Sequence, residues 1–395
     1  MIIRAKLSNP NRPDAEPLVL SFPITDYEDV YRALSAIGIG DAAEQDCRVE
    51  EISGDYPVLA VMRGQNVNVD ELDYLAKRLE SFFEPEAIQF ECAASAKEVS
   101  KIEDFINLTF CCQKVTVITD FSDLKAIGRG HYINKNGGSA MVSELDALDT
   151  EQVAKDLIRS QNGKITPYGV VYENGMQIEP RYKGREFPAY LYEHCVMEVA
   201  LTKTSEPDSG STYLYLPMPD VCMKRALIRG KINNTADLSL VCTVFDPSYE
   251  IFSGIDLALE TPEALNKLSK VFADLDDCYK KTLSAAVEYT TPQSAATLQK
   301  LIERIDLFEF YPDVTNAEEY GRYIIAKSGY YEYDAGLDEF YDFEGYGKQQ
   351  MEYECGKFLD SGYISYIGNI PVESLFIEPE NAPEQDPLTG GMNMT

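Results

Sequence analysis

The 395-residue sequence contains no Trp and only two His, His131 and His194. No Ser-His-Asp or Cys-His pairing can be laid out from their spacing, and no H-x-x-x-H or H-E-x-x-H zinc pattern occurs. Nine Cys are present without a single C-x-x-C. An odd number of cysteines in a long chain argues against a disulfide framework and for a reducing compartment. Neither G-x-x-x-x-G-K-[ST] nor G-x-G-x-x-G appears, so no phosphate cradle is indicated. DLDDC (Asp274 to Cys278) and YDFEGYG (Tyr341 to Gly347) are acidic but do not follow the EF-hand order. No run of 18 apolar residues exists, and MIIRAKLSNPN lacks the apolar centre of a signal peptide. These absences lead us to expect a cytoplasmic protein that is not an enzyme and has no metal and no cofactor.

Positive charge is also scarce. There are 35 Lys and Arg against 66 Asp and Glu, a net charge of −31. Such an excess works against binding nucleic acid or an anionic membrane and favours a basic protein partner. Residues 301–395 hold 20 of the acids and 5 of the bases, so about half of the excess sits in the last quarter. Hydrophobic residues make up 45% of the chain, enough to bury a sizeable core.

The stretch that stands out is YYEYDAGLDEFYDFEGYG, Tyr330 to Gly347, where acids and aromatics alternate without a Lys or Arg. Asp334, Asp338 and Asp342 are spaced four apart, which predicts three carboxylates stacked on one helical face. Leu337, Phe340, Tyr341 and Phe343 supply apolar anchors beside them. Tyr333, Tyr341 and Tyr346 read as core or interface residues whose hydroxyls reach water.

Along the chain, Ile2 to Leu7, Leu18 to Phe22 and Cys47 to Ile52 read as strands. Thr25 or Asp26 caps a helix closed by Gly38 and Gly40, and Asn68 caps VDELDYLAKRLESFF. Glu86 to Glu98 is expected to be helical. Ile102 to Leu108 continues as helix or leads into a strand at Val115 to Ile118. Asp120 or Ser122 caps a helix ending near Gly128, and Ser143 to Ile158 reads as helix. Lys164 to Val199 has a strand pattern, with Glu173-Asn174-Gly175 as a hairpin turn. His131 is expected in a loop or at the surface, and Cys111 and Cys112 as buried thiols in a strand-like run.

The two halves resemble each other. FPITDYEDVYRAL (Phe22 to Leu34) matches LPMPDVCMKRAL (Leu216 to Leu227) with one gap. Asp70 to Lys77 falls on Glu263 to Lys270, and Asp120 to Arg129 on Asp313 to Arg322, both at an offset of 193. Leu145 falls near Leu337, and Asn162 to Thr166 on Ser361 to Ser365 with a small insertion. The pattern predicts an α+β chain duplicated from a unit of about 165 residues. The expected layout is a first copy at 1–167, a β-hairpin-rich extension at 168–200, a linker at 201–211, a second copy at 212–378 and a disordered tail at 379–395.

Glu318 to Gly347, followed by Gly362 to Ser365, resembles the C-terminal part of ArdA-type antirestriction proteins. Their acidic arm has a pattern like L-x-x-[YF]-x-D-[YF]-x-x-[YF], which is matched at Leu337, Phe340, Asp342, Phe343 and Tyr346. The segments near Phe22 and Glu71 are similar to other parts of that family. The resemblance implies an elongated α+β protein of small α/β subdomains around a helical middle segment, carried on mobile elements. It implies a DNA mimic that inhibits type I restriction–modification enzymes by occupying the DNA groove of the methyltransferase core. Family members are about one copy long and pair through their C-terminal region, whereas this chain holds two copies. The fused chain is expected to be a pseudo-dimer that reproduces in one polypeptide the rod that others build from two, with a homodimer as the alternative.

Charge density fits that expectation. Duplex DNA carries one negative charge per roughly 1.7 Å, so 31 net negatives correspond to on the order of 50 Å of duplex. The carboxylates expected to stand in for phosphates are Asp334, Asp338, Glu339, Asp342 and Glu344, then Asp313, Glu318, Glu319, Asp120 and Asp123. Leu337, Phe340, Phe343 and Tyr346 are the expected interface anchors. The alternative is a non-catalytic scaffold that binds another basic host or defence protein.

Overall fold

A computed structural model describes residues 1–207, 210–233, 237–245, 249–369 and 371–376. The expected tail at 379–395 and part of the expected linker lie outside these residues. The chain is α+β and divides into two compact units. Unit 1 comprises Met1–Cys195 with Val199–Leu240, and unit 2 comprises Val196–Glu198 with the chain from Val241 onward.

Unit 1 begins with an antiparallel sheet in which alternation decides the buried face. β1 (Ile3–Ser8) lies between β2 (Leu18–Phe22) and β3 (Cys47–Gly54), and β4 (Asn66–Val67) completes the order β2-β1-β3-β4. Ile3, Ala5 and Leu7 are fully buried while Arg4 is exposed, as a period of two requires. α1 (Tyr27–Ala36) starts at Asp26, whose carboxylate accepts from Asp29 N at 3.0 Å. α2 (Val69–Glu80) starts with a reciprocal cap, Asn68 accepting from Asp70 N and Glu71 accepting from Asn68 N, both at 2.9 Å. Leu72, Leu75, Ala76 and Leu79 on α2 join one core with Phe90, Cys92 and Ala93 of α3 (Glu84–Ala96) and Phe105 and Ile106 of α4 (Ile102–Leu108).

A smaller module follows. β5 (Thr116–Ile118) leads into α5 (Leu124–Lys135), α6 (Val142–Ala147) and α7 (Thr150–Arg159), then β6 (Lys164–Thr166) and β7 (Gly169–Tyr172), with strand order β5-β7-β6. A Cβ on Gly128 of α5 would collide with the backbone of Thr150 and Ala154 of α7, so this glycine permits the helix crossing.

Next come β8 (Met197–Lys203), β9 (Thr212–Leu216) and, after α8 (Asp220–Arg229), β10 (Leu238–Val244), in the order β10-β8-β9. α8 belongs to unit 1. Its Arg225 Nε donates to Asp70 at 3.0 Å and its Arg229 Nη2 donates to Asp70 at 2.8 Å. The Asp70 carboxyl is held below the usual carboxylate range: the flanking guanidiniums outweigh the burial that opposes ionisation.

Unit 2 contains α9 (Tyr249–Phe252), α10 (Pro262–Ala273), α11 (Asp277–Thr290) and α12 (Ala295–Ile302). Then come β11 (Phe308–Pro312), α13 (Ala317–Arg322), α14 (Phe343–Tyr353), β12 (Lys357–Leu359) and β13 (Gly362–Tyr366), with strand order β11-β13-β12. Tyr320, Tyr363 and Val314 centre its smaller core.

Elements of the two stretches correspond in order and in register. Thr116 faces Tyr172 and Glu309 faces Ser365; Lys164 faces Val171 and Lys357 faces Ile364. In each case the second pair is numbered 193 higher than the first. α2 and α10 begin at Val69 and Pro262, with the same interval. Gly128 meets Thr150 and Ala154 as Gly321 meets Phe343 and Gly347, again at that interval.

Several expectations change. Asn162 to Thr166 does not correspond to Ser361 to Ser365, because Lys164–Thr166 pairs with its neighbour as Lys357–Leu359 does; no insertion is needed. Leu145, expected near Leu337, corresponds to its neighbour Asp338 at the common interval. The helix begun near Asp120 does not stop at Gly128 but runs to Lys135, and its N-cap is Asp123. Ser143 to Ile158 is two helices, since Leu148 turns extended and Asp149 caps α7. The hairpin turn at Glu173 to Gly175 closes through Met176 N and Glu173 O at 2.8 Å, but no strand follows until Met197. Met176, Tyr182 and Phe187 instead pack on the unit 1 core, so their alternation serves burial without a ladder. Leu201 to Lys203, expected in the linker, ends β8, and residues 212–229 pack in unit 1. Cys111 and Cys112 are buried free thiols, but in a turn and a 3-10 helix, not a strand.

Candidate functional site

The acidic, aromatic stretch is built on a helix pair. α13 and α14 approach until backbone touches backbone, because a Cβ at either Gly321 or Gly347 would collide with the opposite helix. Between them the chain makes a π-helix (Tyr323–Lys327), a run of bends at 328–331 and a 3-10 helix (Ala335–Phe340). The expected single helical face is therefore wrong. Asp334 and Asp342 each take non-helical backbone to cap the 3-10 helix and α14, accepting from Gly336 N and Gly345 N at 2.8 Å. Short acids compete for backbone amides in this way, and the competition breaks the four-residue stacking of Asp334, Asp338 and Asp342.

Asp338 also departs from the expected role. It is half-buried and takes Arg322 Nη1 on both oxygens at 2.8 Å, with Tyr333 Oη donating as well. Those bonds, from Tyr333 first and Arg322 second, hold its carboxyl below the usual range. Arg322 also lies 4.3 Å from the Phe343 ring centroid. Asp338 is thus an anchor that ties the 3-10 helix to α13. Two more expected phosphate substitutes carry a cation: Glu344 bonds Lys348 at 2.5 Å and Glu318 lies 3.8 Å from Arg322.

The remaining seven are exposed: Asp334, Glu339, Asp342, Asp313, Glu319, Asp120 and Asp123. Among the described residues none of them pairs with Lys or Arg. Five are fixed by the protein's own backbone amides. Besides Asp334 and Asp342, Glu319 accepts from Thr315 N at 2.8 Å, Asp120 from Ser122 N at 2.8 Å and Asp123 from Ala126 N at 2.9 Å. The bonds from Thr315 and from Ser122 keep Glu319 and Asp120 ionised below their ordinary ranges. Asp313 sits in left-handed backbone, φ +69°. Of these seven, Asp313, Glu319, Asp334, Glu339 and Asp342 belong to unit 2, and Asp120 and Asp123 to unit 1.

The expected anchors divide. Phe343 is buried, packed against Tyr341 and Tyr333, so it is core. Tyr346 is half-buried and hydrogen-bonded to Tyr331 at 2.7 Å. Phe340 is 83% exposed and Leu337 48%, and Tyr330 and Tyr353 nearby are 86% and 87% exposed. Sequence reasoning missed Arg322, 16 residues from Asp338, although an Arg followed by a base-free acidic stretch was a visible signal. It also missed the buried Asp70 cluster, signalled by two Arg four apart on a helix of an acidic chain.

His131 lies on α5, half-buried, with Nδ1 2.9 Å from Thr116 Oγ1, and burial lowers its pKa. Among the described residues, no group of three or more His, Cys, Asp or Glu could hold a metal, and no helix is long and apolar enough to cross a membrane. No family model matches this sequence, and no curated protein matches it either.

Proposed function

We propose that the chain is a DNA mimic of the ArdA type. It occupies the DNA groove of a type I restriction–modification enzyme and so inhibits it without catalysis. What carries the reading is the set of exposed carboxylates pinned by backbone amides and, among the described residues, left without a salt bridge to Lys or Arg. A phosphate imitation needs charge at fixed positions, because a flexible acid loses side-chain entropy on docking. A partner's Lys and Arg then gain the attraction and counterion release that duplex DNA provides. Backbone-type contacts supply much of DNA affinity, so no imitation of base edges is required. The chain as a whole reads as two tandem copies of one unit, supported by the constant interval of 193 between matched strand registers.

The test is competition. The purified protein is expected to displace labelled duplex from a type I methyltransferase core, with an inhibition constant that weakens steeply with salt. Absence of displacement at low salt sinks the reading. A second reading is a scaffold for another basic protein. It is favoured by the exposed rings of Tyr330, Phe340 and Tyr353, which phosphate imitation does not need and which suit contact hot spots. A scaffold would bind its partner while leaving the partner's DNA in place.

A further inference from the structure

Unit 1 holds a half-open cavity of about 290 Å³, far from the acidic stretch in sequence. Its walls include Tyr27, Tyr74, Tyr190, Tyr192, Tyr213 and Tyr215. The volume lies at the low end of the ~300–1,000 Å³ typical of small-molecule sites, room for one or two fused rings.

The charges on the floor of this cavity are already matched. Asp70 holds both Arg225 and Arg229, and Asp73 accepts from Lys77 Nζ at 3.0 Å, Tyr27 Oη at 2.8 Å and Ile24 N at 2.7 Å. The cations have ring faces as well. Lys77 Nζ lies 5.1 Å from the Tyr27 centroid and 5.5 Å from that of Tyr192, Arg225 lies 4.2 Å from that of Tyr31 and Arg229 4.7 Å from that of Phe187. An entering ion would lose its water and find no unpaired opposite charge on the floor, which is costly. At the mouth, Glu193 is exposed and Glu186 half-exposed, which adds repulsion for anions. What remains for a ligand is ring surface, the Tyr213 and Thr212 hydroxyls, the Cys222 thiol and the exposed His194.

We infer that this cavity binds a small, neutral, planar aromatic molecule of about indole or nucleobase size, sandwiched by tyrosines and oriented by one hydrogen bond. Occupancy of the cavity is independent of the DNA-mimic reading, which concerns the carboxylate surface.

The chain has no Trp, so indole excited at its red edge, beyond the absorption of the 26 Tyr, is a fluorescent probe free of protein background. Full-length protein titrated with indole is expected to give saturable binding of one molecule per chain. The anionic analogue indoleacetate is expected to bind at least about tenfold more weakly, because it must pass Glu186 and Glu193 and bury an unmatched charge. Two variants fill the cavity, Ala226→Phe and Cys222→Met, each checked for an unchanged melting profile; either one, folded, is expected to abolish indole binding. Any one of three results overturns the inference: no saturable indole binding, indoleacetate binding as tightly as indole, or full binding by a folded, filled variant.

Discussion

The module of β5 to β7 and the module of β11 to β13 share strand order, register and a glycine-mediated helix crossing, yet they hold the segment between their helices differently. In the first, Leu145 on α6 is 6% exposed and buries an apolar side chain. In the second, the corresponding residue is Asp338, tied to Arg322 at the surface. Acid content differs little between the segments. Residues 330–347 carry six acids (Glu332, Asp334, Asp338, Glu339, Asp342, Glu344) and residues 137–154 carry four (Glu144, Asp146, Asp149, Glu151). Aromatic content differs completely: seven rings against none. If charge alone engages the partner, both modules have the means. If rings decide, only the second does.

The largest expected effect would break what the modules share. Gly128→Ala and Gly321→Ala each insert a Cβ into backbone, and each should cost about 2 kcal/mol or more, read as lost stability in urea unfolding. Equal tolerance of alanine at both sites would refute the shared crossing.

The next effect separates the anchors. Leu145→Ala should cost about 2–3 kcal/mol by leaving a cavity. Asp338→Asn should barely move the unfolding midpoint while speeding amide exchange across Tyr330 to Asp342. A pH dependence is expected at the same site. The folded Asp338 value lies below the unfolded value of about 3.9, so its contribution is present above that pH and is lost as pH falls through the folded value. Protection in the second segment, taken relative to intrinsic exchange, should fall below about pH 4, while any loss in the first cannot come through Leu145, which does not titrate.

A smaller effect per residue tests charge against rings. Asp334→Asn with Asp342→Asn keeps both caps, since Asn caps as well as Asp, but removes two charges. With Glu339→Gln added, the salt slope of target binding should fall by about one unit per charge removed. Asp120→Asn with Asp123→Asn should do the same in proportion if the first module also docks, and nothing if it does not. Phe340→Ala, by contrast, should leave the salt slope unchanged and alter affinity only if the rings engage.

The smallest change is expected at the matched surface pairs, Glu151 with Lys155 and Glu344 with Lys348. Removing either lysine should alter stability within measurement error, as exposed pairs four apart do. A large loss at one site alone would reveal a difference that geometry hides.

Much of the local structure was legible in the residues. Period-two alternation marked β1 and β2, and the short polar side chains of Asp26 and Asn68 marked helix starts, because both signals act within a few residues. The recurrence at 193 was legible for the same reason, since equal local signals recur in equal order. Of the ten expected carboxylates, the chain itself sets only that they are acidic and numerous.

Contacts across sequence distance decided the rest. Capping at Asp334 and Asp342 defeated the helical spacing, and Arg322 turned Asp338 from a display into a tether. Arg225 reached Asp70 across 155 residues and drew α8 into unit 1. A carboxylate's neighbours, not its spacing, set whether it is spent internally or left free for a partner. Spacing is written in the chain, but a neighbour exists only once folding has brought distant segments together.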